Sequence, residues 1–129
     1  MPNTATMKYH VNVIIQDVAR ALADAILADS QARGYQSAIR TFEDDPQVVA
    51  LEKRFMDLYA ELIARQQKGE ILSQQDMAPF YTLRIEYYAH PLIVARNDAL
   101  SAFKPLLADM AEQISVQLGL DFTELASAA

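Results

Sequence analysis

The sequence predicts an all-α fold: a single domain built as an antiparallel bundle of long amphipathic helices. Three observations predict it. Apolar residues recur at spacings of three and four along most of the chain, and strand-like alternation occurs nowhere. Glycine and proline fall almost entirely between the periodic segments, at Gly34, Pro46, Gly69, Pro79, Pro91 and Gly119. A chain of 129 residues fits one domain, and at this size folding buries roughly two thirds of the surface that the unfolded chain exposes. The expected boundaries are a disordered N-terminal tail over 1–8, a helical domain over 9–118, and a short helical turn with a frayed tail over 119–129.

The elements follow in order. Val11, Ile14, Ile15, Val18, Leu22, Ala25 and Ile26 share one face at 3.6-residue spacing, opposite Gln16, Asp17, Arg20 and Asp24. That pattern predicts a long helix over about 9–31. The pattern breaks around Arg33-Gly34. Tyr35, Ala38, Ile39 and Phe42 then repeat at i, i+3, i+4 and i+7, a short second helix or a kinked continuation. Next come three consecutive acids, Glu43-Asp44-Asp45, followed by Pro46. Asp45 is placed to cap the free amides of a following turn, and Pro46 suits the first helical position, whose amide has no intrahelical partner. Glu43 and Asp44 add favourable charge at that positive helix end. From there Val48, Leu51, Phe55, Leu58, Tyr59, Leu62 and Ile63 make one apolar face, ending near Gly69.

A further helix starts between Ser73 and Ala78, with Pro79 tolerable in its first turn, and presents Phe80, Tyr81, Leu83, Tyr87 and Tyr88. It stops at His90, because a residue before proline is pushed out of helical geometry, and another begins at Pro91. Leu92, Ala99, Leu100, Phe103, Leu106, Leu107, Met110, Ile114 and Leu118 form a broad stripe on that helix. Pro105 lies on its polar side, where a proline bends a helix around the core. Asp121-Phe-Thr-Glu124 resembles a capping box that opens a last short turn.

Composition removes several classes of function. There is no cysteine, hence no disulfide, thiolate metal site or thiol chemistry in this chain. The net charge is −6 and no basic residue follows Lys104, so direct nucleic-acid binding is not expected. The N-terminal apolar run is interrupted by Asp17, Arg20 and Asp24, unlike a secretory h-region or a membrane span. A cytoplasmic location without membrane contact is expected.

Catalytic constellations are sparse. Glu86 and His90 are four apart and read as a helix-end pair; His10 is isolated. No phosphate-binding glycine loop, HExxH motif or serine with a histidine partner at motif spacing occurs. No catalytic residue, cofactor or metal is therefore expected. The competing reading is a metal-dependent all-helical nucleotide hydrolase, which would have to use Glu43, Asp44, Asp45 and Glu86. Of these, Glu43-Asp44-Asp45 precedes its helix instead of facing inward from one.

The order of punctuation and packing residues carries a resemblance. An amphipathic helix ends in Ser30, followed by Tyr35-Gln-Ser-Ala38, Asp45-Pro-Gln-Val-Val-Ala-Leu51 with Phe55, Gly69, and His90-Pro91-Leu-Ile93 with Ala99. This resembles the YlbF/YmcA family of small all-helical bacterial regulators of competence, biofilm formation and sporulation, over roughly 9–118. The resemblance implies helical homodimers or higher oligomers and a noncatalytic regulator or adaptor that works through protein contacts. Some relatives assist ribonuclease Y in messenger processing, and some complexes carry iron–sulfur clusters on cysteines that this sequence lacks.

Surplus apolar surface supports the same expectation of self-association. The stripe over 91–118 is wider than a coiled-coil seam, and Val13 and Leu27 lie off the main face of the first helix. Phe103, Leu106, Leu107 and Met110 are the expected interface residues. Glu52 and Arg96, polar intruders on two apolar faces, are expected either to pair across that interface or to sit exposed at the rim.

Overall fold

The computed structural model of the chain describes residues 12–128. It contains α1 (Val13–Leu27), α2 (Ser30–Glu43), α3 (Pro46–Gln67), α4 (Gln74–Ala89), α5 (Pro91–Leu118) and α6 (Phe122–Ala128), with no strand among the described residues. The fold is all-α and a single domain. The expected tail over 1–8 and the expected helix start at residue 9, with His10 and Val11, lie outside the described residues.

Helices begin where the sequence supplies an acceptor for free amides. Asn12 Oδ1 accepts from the Ile15 amide at 2.9 Å. Asp45 Oδ1 accepts from the amides of Gln47 at 2.9 Å and Val48 at 3.2 Å, with Pro46 opening α3. Ser73 and Asp76 form a reciprocal capping box, both bonds at 3.0 Å. His90 caps α5 by accepting from the Leu92 amide on Nδ1 at 3.1 Å. Gly69 and Gly119 end α3 and α5 at φ of 88° and 68°, a left-handed geometry that a side chain would strain.

Three boundaries differ from the sequence expectation. The first long helix ends at Leu27 instead of near 31. Asp29 there turns its carboxylate onto the amides of Gln31 at 2.8 Å and Ala32 at 3.4 Å, so a new helix starts three residues before the expected break. Arg33 reaches back to the carbonyls of Leu27 at 2.9 Å and Ala28 at 2.8 Å, satisfying the end of α1. Gly34 consequently lies inside α2. It has no positive φ, and a β-carbon there would meet nothing within 4 Å. Gly34→Ala is expected to raise stability by about 0.5–1 kcal/mol in a denaturant titration, because alanine loses less backbone freedom on folding.

Pro79 is likewise inside α4, a turn beyond the expected limit. The helix survives because the adjacent Phe80 is buried and holds this turn against α3. The C-terminal segment differs too. The Asp121 carboxylate accepts from the Glu124 amide at 3.0 Å, and the turn continues as α6 through Ala128.

The core is small and off-centre. Val48, Leu51, Phe55 and Leu62 of α3 pack with Phe80 and Tyr87 of α4, Ile93 of α5 and Phe42 of α2. Phe55 is its hub, with ring centroids 4.4 Å from Tyr87 and 5.5 Å from Phe80, both stacked. α3 and α4 form an antiparallel hairpin around Gly69, clasped at the turn by Arg65 bridging Glu70 at 3.0 Å and Asp76 at 3.4 Å. α2 runs antiparallel along the first half of α5, with Tyr35 stacked on Phe103 at 5.9 Å and the Arg96 guanidinium over the Phe42 ring at 4.3 Å. α1 contributes nothing to this core: it contains no buried residue.

Candidate functional site

The opening acids do not assemble a cation site. Asp45 is committed to the α3 amides. Glu86 faces Arg54 across the α3–α4 hairpin at 3.7 Å, both side chains more than half exposed. Among the described residues, no three Asp, Glu, His or Cys side chains gather as a metal would require. Glu86 and His90 also take different partners, since His90 caps α5. Asp45→Ala is expected to cost about 1 kcal/mol of stability while Asp45→Asn stays near neutral, both read from the denaturation midpoint. Divalent cations should leave the wild-type melting temperature unchanged.

The polar group at the junction of α3, α4 and α5 is Glu52–Tyr87–Arg96. One Glu52 carboxylate oxygen accepts from the Tyr87 hydroxyl at 2.7 Å and from the Arg96 guanidinium at 2.7 Å. Arg96 also donates to the Tyr87 hydroxyl at 3.1 Å. The hydrogen bond from Arg96 holds the Glu52 carboxyl below its ordinary range, against an opposing push from burial. Burial raises the Tyr87 phenol, and its bond to Glu52 adds to that. This corrects the expectation for Glu52 and Arg96. They do pair, but within one chain and mostly screened from solvent, where they tie α3, α4 and α5 together.

The remaining candidate is surface. Phe103, Leu106 and Met110 of α5 are half-buried and Leu107 is exposed. Phe103 is partly occupied by Tyr35 of its own chain. Beyond them, α5 and α6 diverge around Gly119 to leave an open cleft of about 1000 Å³ lined by Leu107, Ala111, Val116, Leu120 and Phe122, with Glu112 and Asp121 in its lining. On α1, Val13, Ile14, Ile15, Val18 and Leu22 are between 44% and 74% exposed. Sequence periodicity found the α1 face. It missed the cleft, whose signal was the apolar Val116, Leu120 and Phe122 around a terminating glycine.

A sequence model of the family described as "Control of competence regulator ComK, YlbF/YmcA" matches residues 15–118. The chain belongs to this family. The YlbF/YmcA match starts within α1 and ends with the last residue of α5, so it takes in the Glu52–Tyr87–Arg96 centre and most of the exposed α1 face. UPF0342 protein LBA1592 of Lactobacillus acidophilus is 25% identical over 101 residues, covering 78% of this chain and 87% of that protein. No solved structure matches. The family is one of regulators. No helix among the described residues is long and apolar enough to cross a membrane.

Proposed function

We propose that this chain is a noncatalytic cytoplasmic regulator or adaptor that acts as a homodimer or higher homo-oligomer through protein–protein contact. By family membership its pathway would be developmental regulation of the competence type or associated RNA processing. The observation that carries the reading is a surplus of exposed surface, to which the apolar side chains of α1 contribute. The accessible surface is 9971 Å², against about 6,800 Å² for a compact monomer of this mass. Granting the twelve residues outside the described range all the surface of an unfolded chain, about 1,900 Å², still leaves a surplus of more than ~1,000 Å². A standard interface takes roughly 800 Å² from each partner. Phe103, Leu106, Leu107 and Met110 are proposed to serve both the α2–α5 packing and the partner.

Light scattering behind size exclusion tests this reading. A dimer or larger species at tens of micromolar is expected, and a monodisperse monomer would remove self-association. Incubation with a nucleotide panel and Mg²⁺ or Mn²⁺ tests the noncatalytic part. Turnover abolished by Asp44→Ala and Asp45→Ala would overturn it in favour of the hydrolase.

A further inference from the structure

We infer that α1 is an exchange arm: in the homodimer its apolar face docks into the α5–α6 cleft of a second copy, and the partner's α1 fills this chain's cleft in return. The inference rests on the self-association proposed above and names the surfaces that carry it.

The first reason is the helix itself. α1 has 15 residues, and an isolated helix of that length is marginal in water even with favourable composition. Its face of Ile14, Ile15, Val18 and Leu22 carries no charge, and Val13 adds an exposed apolar side chain beside it. Such a helix gains its stability from burying that face, and in its own chain every one of these side chains stays exposed.

The second reason is the match between arm and cleft. The α1 face from Ile14 to Leu22 spans roughly 12 Å, and the α5 edge of the cleft from Leu107 to Val116 spans about 14 Å, both at 1.5 Å per residue. Every residue lining the cleft comes from α5, α6 or the turn between them, so the chain's own α1 does not fill it. The lining is mostly apolar, with the hydroxyls of Ser115, Thr123 and Ser127 and two carboxylates among it, and no cation follows Lys104. That chemistry suits an uncharged helix face and repels nucleic acid.

The third reason is position. The stack of Tyr35 on Phe103, in an antiparallel pair, brings the start of α2 beside the segment of α5 that leads into the cleft. The arm therefore leaves the bundle next to the cleft mouth, held at its root by Asp29 and Arg33. A two-fold axis near that point presents each arm to the other copy's cleft, and such an isologous exchange closes without leaving a free end. The surplus of more than ~1,000 Å² per chain is enough for it.

Because the chain has no cysteine, disulfide trapping reads the contact directly. Protomers carrying only Val18→Cys are mixed with protomers carrying only Ala111→Cys, allowed to exchange, and oxidised. The mixture is expected to give a covalent dimer on a non-reducing gel that neither preparation gives alone, and Leu22→Cys should behave likewise, whereas Glu61→Cys on the outer face of α3 should not. In parallel, Val18→Asp with Leu22→Asp is expected to shift the full-length protein to monomer by light scattering. Its far-ultraviolet spectrum and denaturation transition should still show the intact α2–α5 core. A dimer that persists in this variant, without trapping in the mixture, overturns the exchange while leaving self-association standing. A monomeric wild type overturns both. Trapping confined to one chain in a Val18→Cys, Ala111→Cys double variant also overturns it, because the arm would then fold onto its own cleft.

Discussion

Phe55→Ala is expected to lower the unfolding free energy by about 3–5 kcal/mol, the range for deleting a buried phenylalanine. That is a large share of the stability of a single domain. Phe55 is almost fully buried and stacks on both Phe80 and Tyr87, with Tyr88 edge-on at 5.9 Å. Removing it empties the contact that joins α3 to α4 and leaves three rings facing a cavity. Aromatic pairs of this kind add about 0.5–1.5 kcal/mol each beyond area burial, which places the cost toward the upper end. Phe103→Ala provides the comparison. That ring is half-buried and has one aromatic partner, so its intrachain cost should be less than half as large. Urea denaturation of both variants, at a concentration where the oligomeric state is matched, checks the order. Equal losses would mean that the α2–α5 seam supports the fold as much as the α3–α4 hairpin does.

Legibility in the sequence followed the local physics. The α3 face was readable because Val48, Leu51, Phe55 and Leu62 obey one helical period, and these four are the residues that α3 buries. His90-Pro91 was readable because proline constrains its neighbour whatever the tertiary setting. Gly34 misled for the converse reason: glycine permits a break without requiring one, whereas Asp29 supplies an acceptor that makes the new start favourable five residues earlier. α1 shows the limit of periodicity. An amphipathic face states that something apolar must cover it, and nothing in the spacing says whether the cover belongs to the same chain. Glu52 and Arg96 show another limit, because pairing across 44 positions depends on how α3 and α5 approach. The sequence could mark both as polar residues on apolar faces, but not bring them together. The cleft was hardest to see, since it exists only through the angle at which α6 leaves Gly119.

Arg96→Ala is expected to cost about 2 kcal/mol at neutral pH, between the 0–1 kcal/mol of exposed pairs and the 3–5 kcal/mol lost when one partner of a buried pair is removed. The pair belongs between those limits because the Arg96 and Glu52 side chains are 19% and 26% exposed. The loss also includes the guanidinium over Phe42, so Arg96→Lys should recover only part of it. The sign of the pH dependence follows from the shifts. The folded Glu52 carboxyl lies below its ordinary range, chiefly through its bond from Arg96. Its contribution is therefore complete above the unfolded glutamate value of about 4.3 and fades as pH falls through the depressed folded value. The Tyr87 phenol is raised, so its contribution is complete below about 10 and fades as pH climbs through the folded value. Between those limits the network should add a constant amount. Urea midpoints measured across that range are expected to fall more steeply at the acid end for wild type than for Glu52→Gln. At the alkaline end wild type should likewise fall more steeply than Tyr87→Phe. Parallel acid profiles for wild type and Glu52→Gln would show that other carboxylates control acid unfolding, and that the charge on Glu52 is not what holds α3, α4 and α5 at their junction.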